Sequence, residues 1–189
     1  MSFFLGLFPD QNSIQSVQGV AREAESVFEG FDIPVRWSKS EAYHITIVHF
    51  GESVPFYKML FLKYKLKRFG FKKFKVKFNA IKLGISRKYK ELIYLDVLEG
   101  GDDMRRLLLE LRNVLGFKNE GNFLPHLTLG RVNKELSDQE YSNICRDLSV
   151  VSKRLDIEKI EFVADDFKFV KSTEEGYQFL MNFKDSSNI

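Results

Sequence analysis

The sequence predicts a fold of the α+β class, and three observations support that prediction. Apolar residues recur at α-helical spacing in four stretches, whereas other stretches are short, apolar and aromatic, or alternate between apolar and polar residues. The helical and strand-like stretches do not follow one another in the regular order of a parallel βαβ sheet. A four-residue frame, His-x-Thr-x, occurs in each half of the chain, at His44 and at His126.

The first half of the chain contains both kinds of element. The run at 3–8 is typical of a buried strand, and Ala24 and Phe28 belong to a helical apolar stripe. Lysines alternate with apolar residues over 73–77, which predicts a half-buried strand with a lysine-rich outer face and with Lys82 on its apolar side. We predict strands at 2–8, 35–37, 43–50 and 71–85 and helices at 12–29 and 55–68.

The second half of the chain ends in several strands. Leucines at spacings of three and four predict a helix over 102–115 that Gly116 ends. Ser137 and Glu140 form a capping-box pattern, which begins a helix to about Leu148. We predict strands at 92–98, 124–132, 156–163, 167–170 and 177–183.

The composition excludes several classes of protein. Of the 189 residues, 44% are hydrophobic and 29% are charged, which is typical of a folded, soluble chain, and the net charge of +3 permits an anionic ligand without demanding one. The single cysteine, Cys145, excludes an internal disulfide and fits a reducing compartment. No apolar stretch is long enough to span a membrane, so we expect a cytoplasmic protein.

The two His-x-Thr-x frames carry the candidate chemistry. Side chains two residues apart on a strand share a face, so His44 and Thr46 lie together, as do His126 and Thr128. Imidazole, with an ordinary pKa near 6.5, can act as base or acid near neutral pH, and a threonine hydroxyl can donate to a phosphate oxygen. Splitting a phosphodiester in this way requires no metal. With one cysteine and no His-Glu-x-x-His frame, we expect neither a metal site nor a cofactor.

A lone histidine in a β-strand is more often structural than catalytic. Two identical His-x-Thr-x frames in one chain, however, favour a functional role. His49 lies five residues after His44, so strict alternation places it on the opposite face with Ile45 and Ile47. We therefore interpret His49 as structural. Trp37 and Tyr43, which flank the first frame, could stack on a base, although packing in the core is the favoured interpretation for Trp37.

Three segments resemble a known family. They are Phe3-Phe4-Leu5-Gly6-Leu7-Phe8-Pro9, the segment from Val35-Arg36-Trp37 to His44-Ile45-Thr46-Ile47-Val48-His49-Phe50-Gly51-Glu52, and Pro125-His126-Leu127-Thr128-Leu129-Gly130-Arg131. Together they are similar to the 2H phosphoesterase superfamily, and within it to the RNA 2′,3′-cyclic phosphodiesterases, also called the 2′-5′ RNA ligase or LigT-like group. The resemblance covers most of the chain.

The resemblance implies a fold, a reaction and a set of site residues. The fold is a single domain at 1–189 with two interleaved lobes, in which two antiparallel sheets related by a pseudo-twofold axis face a central cleft with helices outside. The reaction opens terminal 2′,3′-cyclic phosphates to 2′-phosphates. His44 and His126 match the catalytic histidines, Thr46 and Thr128 the phosphate-binding threonines, and Arg131 a phosphate-contacting basic residue. Arg131 has the opposite parity to His126, so a β-bulge is needed to bring it to the cleft.

The alternatives are other activities at the same site. A 2′-5′ phosphodiesterase or a reversible 2′-5′ RNA ligase would use the same histidines, and a non-catalytic RNA- or nucleotide-binding module is disfavoured because both frames are intact. The expected partner is RNA or a nucleotide with a 2′,3′-cyclic phosphate or a 2′-5′ linkage, and we expect a monomer. The lysine-rich segment 63–77 either contacts the RNA backbone or forms a solvated surface.

Overall fold

The computed structural model describes residues 1–85, 90–116 and 123–184. Four α-helices and nine strands confirm the predicted α+β class, and short 3₁₀ turns lie at Ser40–Ala42 and Ile157–Lys159. The helices are α1 Gln11–Gly30, α2 Phe56–Leu66, α3 Gly101–Leu115 and α4 Asp138–Arg154. The strands are β1 Ser2–Leu7, β2 Val35–Trp37, β3 Ile45–Gly51, β4 Phe74–Leu83, β5 Leu92–Glu99, β6 His126–Val132, β7 Glu161–Ala164, β8 Asp166–Thr173 and β9 Gly176–Lys184.

Local signals in the sequence set the ends of several helices. The Asp10 side chain accepts the N–H of Ser13 at 2.9 Å and begins α1. The predicted capping box is present, because Ser137 Oγ accepts the N–H of Glu140 and the Glu140 carboxylate accepts the N–H of Ser137. Gly116, with φ of 74°, ends α3 as expected. The strand predicted at 156–163 is wrong at its start, where a 3₁₀ turn precedes β7.

The strands form one curled antiparallel sheet in the order β7-β4-β5-β6-β3-β1-β8-β9, and β2 adds to β6. The two predicted sheets are its two halves, with β6 and β3 as the inner strands. A single pair of residues, Ile45 and Leu127, joins the halves. The predicted antiparallel two-lobed arrangement is therefore confirmed, with the two motif strands side by side at its centre.

The order of the strands shows that the two halves exchange strands. In the first half of the chain, β1 and β3 pair with each other, but β4 pairs with β5. In the second half, β5 and β6 pair with each other, but β8 pairs with β1. Each half of the sheet therefore contains strands from both halves of the chain. That residues 1–189 form a single domain stays a prediction.

The helices cover one face of the sheet and leave the other open. Ile45, Ile47, Leu127 and Leu129 from the motif strands are buried in the main apolar cluster together with the inner sides of the helices. Many phenylalanines pack in this cluster, as the sequence predicts; the Phe167 and Phe183 rings stack with centroids 4.7 Å apart. In the part of the chain that the structure describes, no helix is long and apolar enough to span a membrane.

The strand β4 changes faces partway along its length. The pairing register with β5 shifts between Phe78 and Ile81, so Ile81 is buried and Lys82 is exposed. The prediction that Lys82 shares the apolar side is therefore wrong, because strict alternation does not survive a bulge. The buried hydroxyl of Ser152 on α4 accepts the N–H of Ile81 at 2.9 Å and so satisfies a donor at this irregularity.

We expect Ser152→Ala to lower the free energy of unfolding by about 1–3 kcal/mol, because the Ile81 N–H would be left buried without an acceptor. Urea denaturation followed by circular dichroism measures the change. Ser149→Ala, an exposed position on the same helix, is the matched control and should change stability by less than about 0.5 kcal/mol. Equal effects of the two substitutions would contradict the role of Ser152.

Candidate active site

The two motif strands bring the four predicted histidines and threonines together. Ile45 and Leu127 are the paired residues at which β3 and β6 meet. In an antiparallel pair, the positions on either side of this contact face each other, so His44 lies beside Thr128 and Thr46 lies beside His126. All four side chains are half-buried on the face opposite the main apolar cluster.

Both imidazole rings are held in the same way. Nδ1 of His44 lies 2.7 Å from the carbonyl oxygen of Ala42, and Nδ1 of His126 lies 2.8 Å from that of Leu124. A carbonyl oxygen can only accept, so Nδ1 donates in both rings and the neutral ring presents the lone pair of Nε2. Nε2 of His44 lies 3.0 Å from Oγ1 of Thr46. Each histidine therefore offers Nε2 as its reactive atom.

An aromatic cage surrounds His44. Phe4 and Phe8 stack on its ring with centroid distances of 4.5 and 5.7 Å, and Tyr177 from β9 meets it edge-on at 5.4 Å. The tyrosine hydroxyl also lies 3.3 Å from Nδ1 of His44. Sequence reasoning missed this cage, because the uniformly apolar run of β1 conceals that Phe4 and Phe8 lie on the motif face.

His126 has more polar surroundings. Tyr94 meets its ring edge-on at 5.3 Å, and Asp96 is its cross-strand partner on β5. Asp96 corresponds to no sequence motif, and only the pairing of β5 with β6 reveals it. One histidine is therefore enclosed by aromatic rings, whereas the other has a carboxylate beside it.

These surroundings act on the acid–base behaviour of the rings. Burial lowers the pKa of His44 from 6.5 to about 4; the hydrogen bond to Ala42 opposes this shift, and the nearby His126 adds to it. Burial also lowers the pKa of His126, with Arg131 adding to the shift and the Leu124 hydrogen bond and Asp96 opposing it. In the free protein both rings are therefore neutral near pH 7. An anion between them would favour protonation of one ring.

A β-bulge in each motif strand decides where the next basic residue lies. The register of β1 with β3 shifts after Gly6–Thr46, and that of β5 with β6 shifts after Tyr94–Thr128. The bulge that Arg131 requires is therefore present, and Arg131 is exposed, with its guanidinium 3.4 Å from Glu91.

The same kind of bulge corrects the prediction for His49. His49 is exposed and lies opposite Phe4, whose ring stacks on His44. Directly opposite residues of an antiparallel pair project to the same side, so His49 shares the face of His44. The predicted face of His49 was wrong because the extra residue reverses the alternation after Ile47.

The remaining candidates lie outside the motif pair. Tyr43 is buried, and Trp37 packs edge-on against Phe28 with centroids 5.9 Å apart, which agrees with the packing role favoured for Trp37. Lys75 and Lys77 from the basic segment form ion pairs with Glu161 at 3.2 and 3.3 Å. A role of this segment in binding RNA stays a prediction.

A large cavity of the molecule lies apart from the motif histidines. A cavity of about 520 Å³ lies between the segment 70–74 and α3, away from both motif histidines. Within residues 1–85, 90–116 and 123–184, no three histidine, cysteine, aspartate or glutamate side chains cluster as metal ligands would.

Comparisons with known proteins agree with this geometry. No family model matches the chain. It is 26% identical over 151 residues to an RNA 2′,3′-cyclic phosphodiesterase of Archaeoglobus fulgidus, covering 79% of this chain and 81% of the relative. Its fold is similar to TT0787 of Thermus thermophilus, with a TM-score of 0.67, 16% identity and 97% of each chain covered. It is also similar to Escherichia coli LigT complexed with phosphate, with a TM-score of 0.66, 13% identity and 98% of each chain covered.

These likenesses confirm the resemblance to the 2H phosphoesterases that the motifs predict. The chain has a LigT-like fold, with a curled antiparallel sheet and four helices. The relative that it matches by sequence is a cyclic phosphodiesterase.

We expect Phe8→Ala to raise the pKa of His44 from about 4 toward 6.5, because water would reach a ring that burial now keeps neutral. Titration of the His44 ring by NMR measures the shift. Phe61→Ala, an exposed aromatic position on α2, is the matched control and should leave the pKa where it is. An unchanged pKa in Phe8→Ala would show that the cage does not set the acidity of His44.

Proposed function

We propose that the protein is a metal-independent RNA 2′,3′-cyclic phosphodiesterase that uses His44 and His126 as an acid–base pair. One observation carries the proposal: two imidazoles, each with Nδ1 held by a backbone carbonyl, present Nε2 from neighbouring motif strands, and Nε2 of His44 lies 3.0 Å from Oγ1 of Thr46. The name of the Archaeoglobus fulgidus relative and the structures of LigT with phosphate and with 3′-AMP support a nucleotide phosphodiester as substrate.

In the proposed reaction, the cyclic phosphate lies between the two rings. A neutral imidazole takes a proton from a water molecule while the oxygen of that water forms a bond to phosphorus. The bond from phosphorus to the ribose 3′-oxygen breaks, and the protonated imidazole gives its proton to that oxygen, leaving a 2′-phosphate. Thr46 and Thr128 donate to the non-bridging oxygens, whose charge grows in the transition state, and Arg131 adds positive charge beside them.

Each half of the reaction needs a different histidine, so both motifs are required in one cleft. Both come from the same chain, which supports a protein that acts as a monomer. A 2′-5′ phosphodiesterase or ligase would use the same groups, and the products distinguish these activities. A binding module without catalysis would bind nucleotides but turn over neither substrate.

The test offers a nucleoside 2′,3′-cyclic phosphate and a 2′-5′-linked oligonucleotide in the presence of EDTA, with identification of the products. We expect the 2′-phosphate from the cyclic substrate, and we expect His44→Ala and His126→Ala each to reduce kcat by about 10²–10⁴-fold while the protein stays folded. Lys153→Ala, an exposed change on α4, is the control. Turnover that EDTA abolishes would contradict the metal-free reaction, and near-normal rates in either histidine variant would contradict the acid–base pair.

The pH dependence of kcat/KM gives a separate test. The reactive form of the free enzyme has one ring neutral and the other protonated, and both pKa values lie below 6.5. Because the pKa is lowered, the imidazole loses its proton at a lower pH than a free imidazole does. We therefore expect kcat/KM to peak below pH 6.5 and to fall as the pH rises through neutrality. A steady rise of kcat/KM through neutral pH would contradict these shifts.

A further inference from the structure

The two halves of the cleft correspond residue by residue from the motif through the bulge that follows it. In the first half a further register shift lies beyond this stretch, between Phe3 and Phe4. Each motif strand pairs with its neighbouring strand, loses one step of register at the same place, and then resumes pairing. In the first half the pairs are Leu7–Ile45, Gly6–Thr46, Leu5–Val48 and Phe4–His49, and in the second half they are Leu95–Leu127, Tyr94–Thr128, Ile93–Gly130 and Leu92–Arg131.

His49 therefore occupies the position in the first half that Arg131 occupies in the second. Both side chains are exposed, and both follow a bulge that turns them to the face of their own histidine. Arg131 already has a carboxylate neighbour in Glu91. Among the described residues, no carboxylate lies within ion-pair distance of His49, so its ring nitrogens remain open to a ligand.

The antiparallel pairing of β3 with β6 determines where His49 and Arg131 lie relative to the two motif histidines. Because β3 and β6 run in opposite directions from Ile45–Leu127, His49 and Arg131 lie at opposite ends of the row of motif side chains. Phe4 and Gly6 are two residues apart on β1 and are the partners of His49 and Thr46. His49 is therefore roughly 6–7 Å beyond Thr46, one step further from the reacting phosphate.

We propose that His49 binds a second phosphate of an oligonucleotide, the internucleotide phosphate on the 5′ side of the terminal cyclic phosphate. This inference rests on the proposed function of the cleft. A terminal 2′,3′-cyclic phosphate lies at the 3′ end of a strand, so the rest of the strand can leave the site only in the 5′ direction. An imidazole N–H at this distance donates to a phosphate oxygen that Thr46 does not reach, with added charge when the ring is protonated.

The same half of the cleft offers a surface for the bases of such a strand. Phe179 on β9 is 56% exposed and meets Phe8 edge-on, with centroids 5.3 Å apart. Lys168 lies 5.1 Å from the Phe8 centroid and 5.3 Å from the Phe179 centroid, which adds positive charge to the aromatic surface. Exposed aromatic rings with interspersed cations are the combination that binds single-stranded nucleic acid.

The test compares a nucleoside 2′,3′-cyclic phosphate, which has no second phosphate, with a short oligoribonucleotide that ends in the same cyclic phosphate. We expect His49→Ala to raise KM for the oligonucleotide by roughly threefold to tenfold relative to KM for the mononucleotide, as loss of a hydrogen bond to a charged phosphate does. In His49→Arg the slope of log KM against log salt for the oligonucleotide should steepen by about 0.7, because the guanidinium adds one charged phosphate contact on a single strand.

His49→Arg introduces the residue type of Arg131, the corresponding position in the other half. We expect this variant to match or exceed the wild-type preference for the oligonucleotide over the mononucleotide. Lys153→Ala, which removes an exposed cation from α4 outside the cleft, should change neither the KM ratio nor the salt slope. Thermal unfolding of each variant establishes that the fold is retained.

The outcomes separate this proposal from the function on which it rests. If the wild-type protein turns over neither substrate, the cyclic phosphodiesterase proposal fails. If it turns over both, and His49→Ala and His49→Arg leave the KM ratio and the salt slope unchanged, the second phosphate site is excluded while the function stands.

Discussion

The contact between Ile45 and Leu127 is the constraint on which the cleft depends. Both side chains are completely buried, and theirs is the pairing that joins the two inner strands in the part of the chain that the structure describes. The alternation of a strand then places an imidazole and a hydroxyl on each side of this contact. A shift of one residue in either strand would turn a histidine into the core, because the period of a strand is two. The buried pair therefore fixes the chemistry that the opposite face presents.

One pair of positions on the neighbouring strands contributes to the difference between the two histidines. Gly6 and Tyr94 occupy corresponding places, opposite Thr46 and Thr128. A Cβ atom at Gly6 would lie 3.0 Å from the Phe4 ring and 3.2 Å from the carbonyl oxygen of Ile45. Glycine at this position therefore lets the Phe4 ring lie close beside β1, where it covers His44. In the other half, the side chain of Tyr94 itself contacts His126. A site with pseudo-twofold symmetry thus contains two rings in unlike surroundings, which suits one acid and one base.

Periodicity predicted the elements and the motif faces well and failed beyond each bulge. The frames at His44 and His126 lie within regular strand, so a two-residue step located their threonines correctly. His49 and Lys82 were placed on the wrong side because the inserted residues at the bulges are ordinary, mostly apolar strand residues, which carry no distinct signal. The bulge before Arg131 was expected only because the family resemblance required it. The aromatic cage was not predictable, since Tyr177 and Phe8 are far apart in the chain and meet only through the pairing of β1, β8 and β9.

The exchange of β4 and β8 makes the two halves of the chain depend on each other. Each half supplies a strand, a helix, a motif strand, a second helix and an outgoing strand, and the outgoing strand completes the other half's sheet. Neither half could therefore complete its own sheet alone, so each histidine lies in a sheet that both halves of the chain build. The corresponding positions nevertheless carry different residues, as the pairs His49 and Arg131 and Gly6 and Tyr94 show.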